Sequence, residues 1–551
     1  MPTCKQCSAP FEITSDDLAF LEKVSPVFAG KKELIPPPKL CPDCRQQRRL
    51  SWRNERNLYH RKCDFSGKQI ISMYASDKAQ KVYDQDVFWS DKWDPLDTGR
   101  PFDFSRPFFD QFAELFVATP RISLINKEHL NSEYCNFSLH NKDSYLGFTT
   151  MECENCIYTN RVLFAKNVCD CSNVEHCELC YEVINSDHCY HCQYLQNCNN
   201  CSDCFLGYNL RGCRNCFACY NLQNAEYRVG NKQVSKEEYA QLVRTLRKDL
   251  AATRRNFDEQ KRRVPHKYMD SINAEDCTGN AIINSKNARV CYEVMGLHDC
   301  RYLANATEEK DCMDVNNDDH SELVYESAGS EANYMHCFND ICWFDKNLLY
   351  CSLCFHCEHC FGCVSLKHRK YCIFNVQYTK EEYEALVPKI ITHMRTTGEW
   401  GEFFPVRLSP FGYNETTASE TTPLTKEEVR ERDWKWRDEP EVQKQYLGPD
   451  SVPPVDIGEV SDDITKQILR CEITGRPYKI IPQELKFYRE MGIPVPRKCP
   501  DQRHKERMAL RNPRKLWNRN CAKCKKPIAT SYAPERPEIV YCEECYLTSV
   551  Y

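Results

Sequence analysis

Between residues 129 and 395 small apolar positions recur against a polar background on a fixed beat. CxxC pairs stand at Cys153/Cys156, Cys177/Cys180, Cys189/Cys192, Cys201/Cys204 and Cys213/Cys216, and their second cysteines are spaced by multiples of twelve. Ser144 and Val168 hold beats that lack a pair. Short apolar or aromatic runs follow each beat, among them Tyr145-Leu146-Gly147, Tyr181-Glu182-Val183, Phe205-Leu206-Gly207 and Phe217-Ala218-Cys219. Asn, Ser, Asp and Gly fill the corners, which is turn chemistry. The beat returns at Cys300, Cys312, Val324, His336, Leu348, Cys360 and Cys372. Both arrays run into a helix start, Ser235-Lys236-Glu237-Glu238 and, 144 residues later, Thr379-Lys380-Glu381-Glu382. Each is an S/T-x-x-E capping box. A twelve-residue repeat is too short for a pair of helices and suits parallel β coils of about two short strands. The pattern predicts a mainly β protein with helical caps, built on a duplicated, Cys-rich β-solenoid of twelve-residue repeats. Whether one coil is 12 or 24 residues stays open.

The array divides the chain. Residues 1–75 and 466–551 form terminal modules. Residues 76–128 are aromatic and acidic (Trp89, Trp93, Phe102, Phe108, Phe109) and are expected to cover the first open coil, since solenoid ends need caps. Residues 129–264 make the first unit, closed by a long charged helix ending before Pro265, and residues 265–395 make the second. Residues 396–465, rich in Pro and acids, read as a partly extended linker.

The terminal modules carry the clearest chemistry. Cys4-x-x-Cys7 and Cys41-x-x-Cys44 supply two thiolate pairs, the donor set of tetrahedral zinc. The C-terminus repeats the module at an offset of 458: Arg53-Asn54-Glu55-Arg56 becomes Arg511-Asn512-Pro513-Arg514, Cys63 meets Cys521, and Tyr74 meets Tyr532. The first copy keeps the first set of four and only Cys63 of the second. The second copy keeps Cys521, Cys524, Cys542 and Cys545, with Cys471 and Cys499 left of the first. One structural zinc is expected at each end, and Cys63, Cys471 and Cys499 are expected to be core thiols. The pattern of CxxC, Phe11 and Ile13, a short aromatic-bearing helix (Asp17 to Phe20; Gln483 to Tyr488), a Pro segment and a final CxxC-Arg resembles the zinc-ribbon domain family. Cys4, Cys7, Cys41, Cys44 and Arg45 match it, and Thr474 and Gln502 depart from it in the second copy. Over its whole length the chain is similar to Cys-rich zinc-ribbon proteins of genome-reduced, uncultivated bacteria, a resemblance that implies a cytoplasmic location and no activity.

Cysteine numbers 38 in 551 residues. Disulfide scaffolds are short and secreted, whereas this chain is long and opens on Met1-Pro2-Thr3-Cys4, which lacks the features of a secretory leader. Reduced thiols and metal are the expected state. Three readings of the ladder cysteines stay open. They can fill a narrow interior as small hydrophobes. They can bind further zinc or an iron–sulfur cluster, with Cys351, Cys354, Cys357, Cys360 and Cys363 as one candidate set and Cys198, Cys201, Cys204, Cys213, Cys216 and Cys219 as another. They can form disulfides within coils.

Lys and Arg number 74 against 79 Asp and Glu, so the chain is no basic nucleic-acid coat. Two local stretches differ. Residues 45–62 carry Arg48, Arg49, Arg53, Arg56 and Arg61 among others, against one acid. Residues 497–526 carry Arg507, Arg511, Arg514 and Arg519, and Trp52, Tyr59 and Trp517 are interleaved. Such segments, pinned by zinc, can follow phosphates while an aromatic stacks on an unpaired base. No nucleotide, hydrolase or metalloprotease motif occurs. The expected function is non-catalytic binding of nucleic acid, with RNA favoured, by zinc-dependent ribbons on a solenoid spacer. No membrane and no small-molecule substrate are inferred. The alternatives are a protein–protein scaffold with solvated basic faces, and an iron–sulfur or redox protein using the ladders.

Overall fold

The computed structural model describes residues 1–438 and 452–550. The chain is mainly β, with two long, parallel-rich sheets of 13 and 11 strands. The first runs from Asn126 to Gln233 and the second from Ser271 to Gln377. Neither closes into a barrel. In each, a strand's neighbour lies twelve residues on: Phe205 faces Phe217, and Glu358 faces Lys370. A single antiparallel hairpin ends each stack, at Val229–Lys232 and Ile373–Val376.

Within a rung the backbone obeys a shorter period. Positive φ recurs every third residue, as at Asn155, Tyr158, Arg161, Phe164 and Asn167. Two extended residues and one left-handed corner make a side, so twelve residues make four sides rather than two strands. Asn, Asp and His, which tolerate this region best, hold many corners. The residue two before each corner points inward. Cys153, Cys156, Val162, Ala165, Val168, Cys171 and Val174 lie on this spacing and are all buried. The bore is narrow, and small side chains fill it. At Gly207 an added Cβ would come within 2.7 Å of Leu195 and Leu210.

Both capping boxes form. Ser235 and Glu238 open Lys236–Arg247, and Thr379 and Glu382 open Lys380–Thr397. The charged segment after the first array is two helices, because Asp249 caps a second start at Leu250–Arg263. The aromatic segment 76–128 reaches the first coil only at its end, where Asn126–Lys127 pairs with Ser138–Leu139, and elsewhere covers the second stack. Leu96 packs on the interior cysteines of the last rungs of the second stack, and the amide of Arg100 donates to Phe374 O at 3.1 Å. Helix Phe108–Ala118 joins Tyr350, Phe361 and Phe374 in one aromatic core. Part of the expected linker is core as well. Trp400, Phe403 and Phe404 are buried around Trp52, and Ile464 packs with the C-terminal module. Residues 439–451 of that segment lie outside the described residues.

Candidate metal centres and arginine clasps

At the N-terminus a tight turn, with Ser8 at positive φ and Ser8 N–H on Cys4 O, presents Cys4 and Cys7. Cys41 precedes helix Pro42–Leu50 and Cys44 lies in its first turn. The four sulfurs lie within 4.8 Å of one another, with Cys7 Sγ 3.7 Å from Cys41 Sγ. The C-terminal set repeats this. Lys525 at positive φ closes the Cys521/Cys524 turn, Cys542 and Cys545 flank the start of helix Glu543–Val550, and Cys524 Sγ lies 3.7 Å from Cys542 Sγ. Zn–S bonds of about 2.3 Å require a tetrahedral edge of about 3.8 Å, so both sets fit zinc. Burial opposes ionisation of Cys521, but amide donors from Cys524, Cys542 and Lys523 prevail and hold its thiol down at about 6. Zinc at either site would cross-link a knuckle to a helix start.

The degenerate positions keep knuckle geometry with hydrogen bonds. Cys63 Sγ accepts from the amides of Ser66 and Asp84, and Ser66 Oγ donates to Asp84 Oδ2 at 2.8 Å. In the second copy Thr474 Oγ1 lies 3.9 Å from Cys499 Sγ. Cys63, Cys471 and Cys499 are all buried.

The ladder cysteines do not gather into a set the size of a single zinc shell. Among the described residues no three thiols of either stack lie within 4.8 Å of one another. This includes Cys198, Cys201, Cys204, Cys213, Cys216 and Cys219, and also Cys351, Cys354, Cys357, Cys360 and Cys363. Stacked rungs draw the sulfurs into lines about 4.8 Å per step instead of shells. Each thiol has a backbone acceptor: Cys201 Sγ donates to Asn199 O at 3.4 Å or Leu210 O at 3.5 Å. Burial pushes Cys135 and Cys354 up to about 12. All 38 cysteines are unpaired, so no ladder disulfide is present.

Of the arginines expected at phosphates, Arg48, Arg49, Arg53, Arg61 and Arg507 are buried, and Arg56, Arg511, Arg514 and Arg519 are partly buried. Arg49 is 0% exposed and Arg48 is 8% exposed. Arg49 Nη1 lies 2.9 Å from Glu326 and 3.3 Å from Asp314. Arg48 binds Glu326 at 2.9 Å, and neighbouring Arg45 binds Asp314 at 2.7 Å. At the other end Arg503 and Arg507 each bind Asp170 at 2.7 Å. These pairs correspond: the arginines stand 458 apart and the aspartates 144 apart. Arg45 lies over Tyr302 and Arg503 over Tyr158, again 144 apart. The N-terminal module therefore clasps the second stack and the C-terminal module the first. A surface reading fails here because buried carboxylates in rung corners capture the guanidinium groups.

The remaining arginines are also engaged. Arg53 is buried, 2.5 Å from Glu55 and over the ring of Phe137. Arg61 binds Asp64 at 2.7 Å. Arg56 is half-buried, 3.5 Å from Asp501, and Arg519 donates to the carbonyls of Ala533 and Glu538. Arg511 and Arg514 both engage Glu293, Arg514 at 2.6 Å. Burial holds Arg511 down at about 9 and Arg514 at about 10, and Arg514 lowers Arg511 further. Trp52 is buried against Phe116 and Phe404, so it offers no face to a base. Tyr59 donates to Glu415 at 2.6 Å.

Sequence patterns did not point to a cavity of about 710 Å³ between the facing sides of the two stacks. Asparagine ladders line it, with Asn173 Nδ2 donating to Asn185 at 3.0 Å and Asn305 Nδ2 to Asn317 at 3.0 Å. Its carboxylates include Glu175, Asp187, Asp318, Asp319 and Glu331, against Arg53, Arg161 and Arg211. Burial pushes Asp318 up to about 7 and Asp319 up to about 6, and Glu331 raises both. The signal available in sequence was Asn recurring every twelfth residue.

No helix among the described residues is long and apolar enough to cross a membrane. Comparison with family models and with curated proteins gives no match for this chain.

Proposed function

We propose that the chain is a non-catalytic binding scaffold of a reducing compartment, the cytoplasm. In this reading the two arrays are β-solenoid units, and the terminal modules are zinc ribbons that lock them side by side. The ligand lies in the groove between the units. The observation that carries this reading is the burial of Arg48, Arg49, Arg507 and their neighbours on Asp314, Glu326 and Asp170. Basic helices spent on the protein's own carboxylates act as clasps, which favours the scaffold over ribbons that read nucleic acid. Carboxylates outnumber arginines along the groove, which favours a cationic, extended polar ligand such as an arginine- or lysine-rich peptide segment.

The test is fluorescence anisotropy of a labelled arginine-rich peptide and of a labelled single-stranded RNA at low and physiological salt. The expected result is salt-sensitive peptide binding that Asp318→Asn with Glu331→Gln weakens at least tenfold, with no RNA binding. Tight RNA retention that survives those substitutions would overturn the groove reading and restore the nucleic-acid one. In that case its face would be the exposed cations of Lys236–Arg247 and Leu250–Arg263.

A further inference from the structure

The bore of the second stack is not apolar throughout. One rung turns His336, Asn339, Cys342 and Asp345 inward from its four sides, and all four are 0% exposed. Asn339 is spent on backbone: its Nδ2 donates to Leu348 O at 2.9 Å and its Oδ1 accepts from Cys351 N–H at 2.6 Å. The other three converge, their donor atoms lying within 4.8 Å of one another. Both imidazole nitrogens of His336 lack any partner, as does Asp345 Oδ2. The ladder neighbours of His336 are Val324 and, by register, Leu348, both apolar, and the inward Ser327, Ser330 and Asn333 of the preceding rung bond to each other, to backbone carbonyls or to a backbone amide. Asp345 is held in place: its amide donates to Asn333 Oδ1 at 2.9 Å and its Oδ1 accepts from Cys357 N–H at 2.5 Å. A buried imidazole without a hydrogen bond costs free energy, and such orphans require an explanation.

We propose that His336, Cys342 and Asp345 form a third metal site, enclosed in the second stack, for a divalent ion of the zinc class. Imidazole nitrogen, thiolate and carboxylate are a donor set zinc takes, and the sulfur and nitrogen disfavour magnesium and calcium. One thiolate and one carboxylate neutralise a divalent ion, so the loaded rung buries no net charge. The empty rung instead holds a carboxyl that burial pushes well up and an imidazole pushed down to about 3. Loading releases the protons of Cys342 and Asp345 to solvent. The fourth position falls to water or to Cys354, which stacks on Cys342. The first stack shows why the residue types matter. The same positions, 144 residues earlier, are Cys192, Cys198 and Cys201. Their shorter side chains do not converge within 4.8 Å.

This site goes beyond the scaffold reading and is tested apart from it. Total metal in the full-length chain purified with zinc is expected to be three ions: one from each terminal set and one from the bore. Asp345→Asn and His336→Gln are each expected to lower the total by one and leave the peptide affinity of the groove unchanged. X-ray absorption at the zinc edge needs no variant, so it decides the matter even if a substitution prevents folding. A first shell containing nitrogen or oxygen beside sulfur is expected. A shell of sulfur alone, a total of two, or three ions retained in both variants would overturn the site while leaving the terminal centres standing.

Discussion

The two clasps follow one plan and differ in their reserves. At the N-terminal clasp Arg45, Arg48 and Arg49 share Asp314 and Glu326, and Glu402 takes Arg48 as well at 2.8 Å. At the C-terminal clasp Arg503 and Arg507 share Asp170, with Glu484 at 3.3 Å from Arg503. The counterpart of Arg48 is Glu506, which pairs with Lys498, and the counterpart of Glu326 is Glu182, which pairs with Arg254 of the capping helix. On one side the third arginine is replaced by an acid, and the glutamate that would match it is retained but turned to the capping helix. The clasps also differ in their anchors. Helix Pro42–Leu50 starts inside a four-cysteine set, whereas helix Pro500–Ala509 starts at Cys499, where no complete set remains. One clasp therefore starts from a four-cysteine set that could hold a metal ion, and the other from hydrogen bonds.

The largest expected effect separates the anchors. Structural zinc contributes on the order of 10 kcal/mol of apparent folding free energy. Cys44→Ser should abolish hydrogen-exchange protection across Pro42–Leu50, whereas Cys545→Ser should leave Pro500–Ala509 protected. Equal loss in both helices would break the comparison. Next, Asp170→Asn leaves Arg507 buried without its carboxylate and Arg503 with Glu484, and should cost about 3–5 kcal/mol by denaturant melts. Asp314→Asn should cost less, about 1–3 kcal/mol, because Glu326 still holds Arg49.

A smaller effect concerns acid. Burial would raise Glu326, but Arg48, Arg49 and Arg45 prevail and hold it below its ordinary value of 4.5. With a lowered folded value the unfolded chain binds more protons in that window, so stability is present above 4.5 and is lost as pH falls further. Glu326→Gln should flatten the dependence of Tm on pH below 4.5, and an unchanged slope would remove Glu326 from the clasp's energetics. The smallest effect is Arg56→Ala, within about 1 kcal/mol, since its partner Asp501 is 71% exposed.

The metal sets were legible because two CxxC pairs at ribbon spacing encode both a donor set and a turn. The same motif has another meaning in the arrays. Cys213-x-x-Cys216 is no knuckle there; it marks two adjacent sides of a rung, and the run Cys351 to Cys363 is the inward position of every third residue. The period of twelve was visible in sequence, but its division into four sides required the backbone angles. Arg48 and Arg49 read as a solvated or nucleic-acid face because a charge run carries no information on burial. Their partners lie 278 and 277 residues away, beyond any local pattern. His336 occupies a beat of the repeat and drew no attention, since its meaning depends on Cys342 and Asp345 turning inward from the same rung.

The crossed attachment of the modules sets a schedule for biosynthesis. Arg45 emerges from the ribosome 269 residues before Asp314 exists to receive it. At about 5–20 residues per second the wait is roughly 15–55 s. Throughout it the first module has nowhere to dock, and Asp170 waits still longer for Arg507, which is 337 residues downstream. The second half of the chain thus meets a partner made before it, whereas the first half waits for the last-made module, so a truncated product would leave Asp170 uncapped.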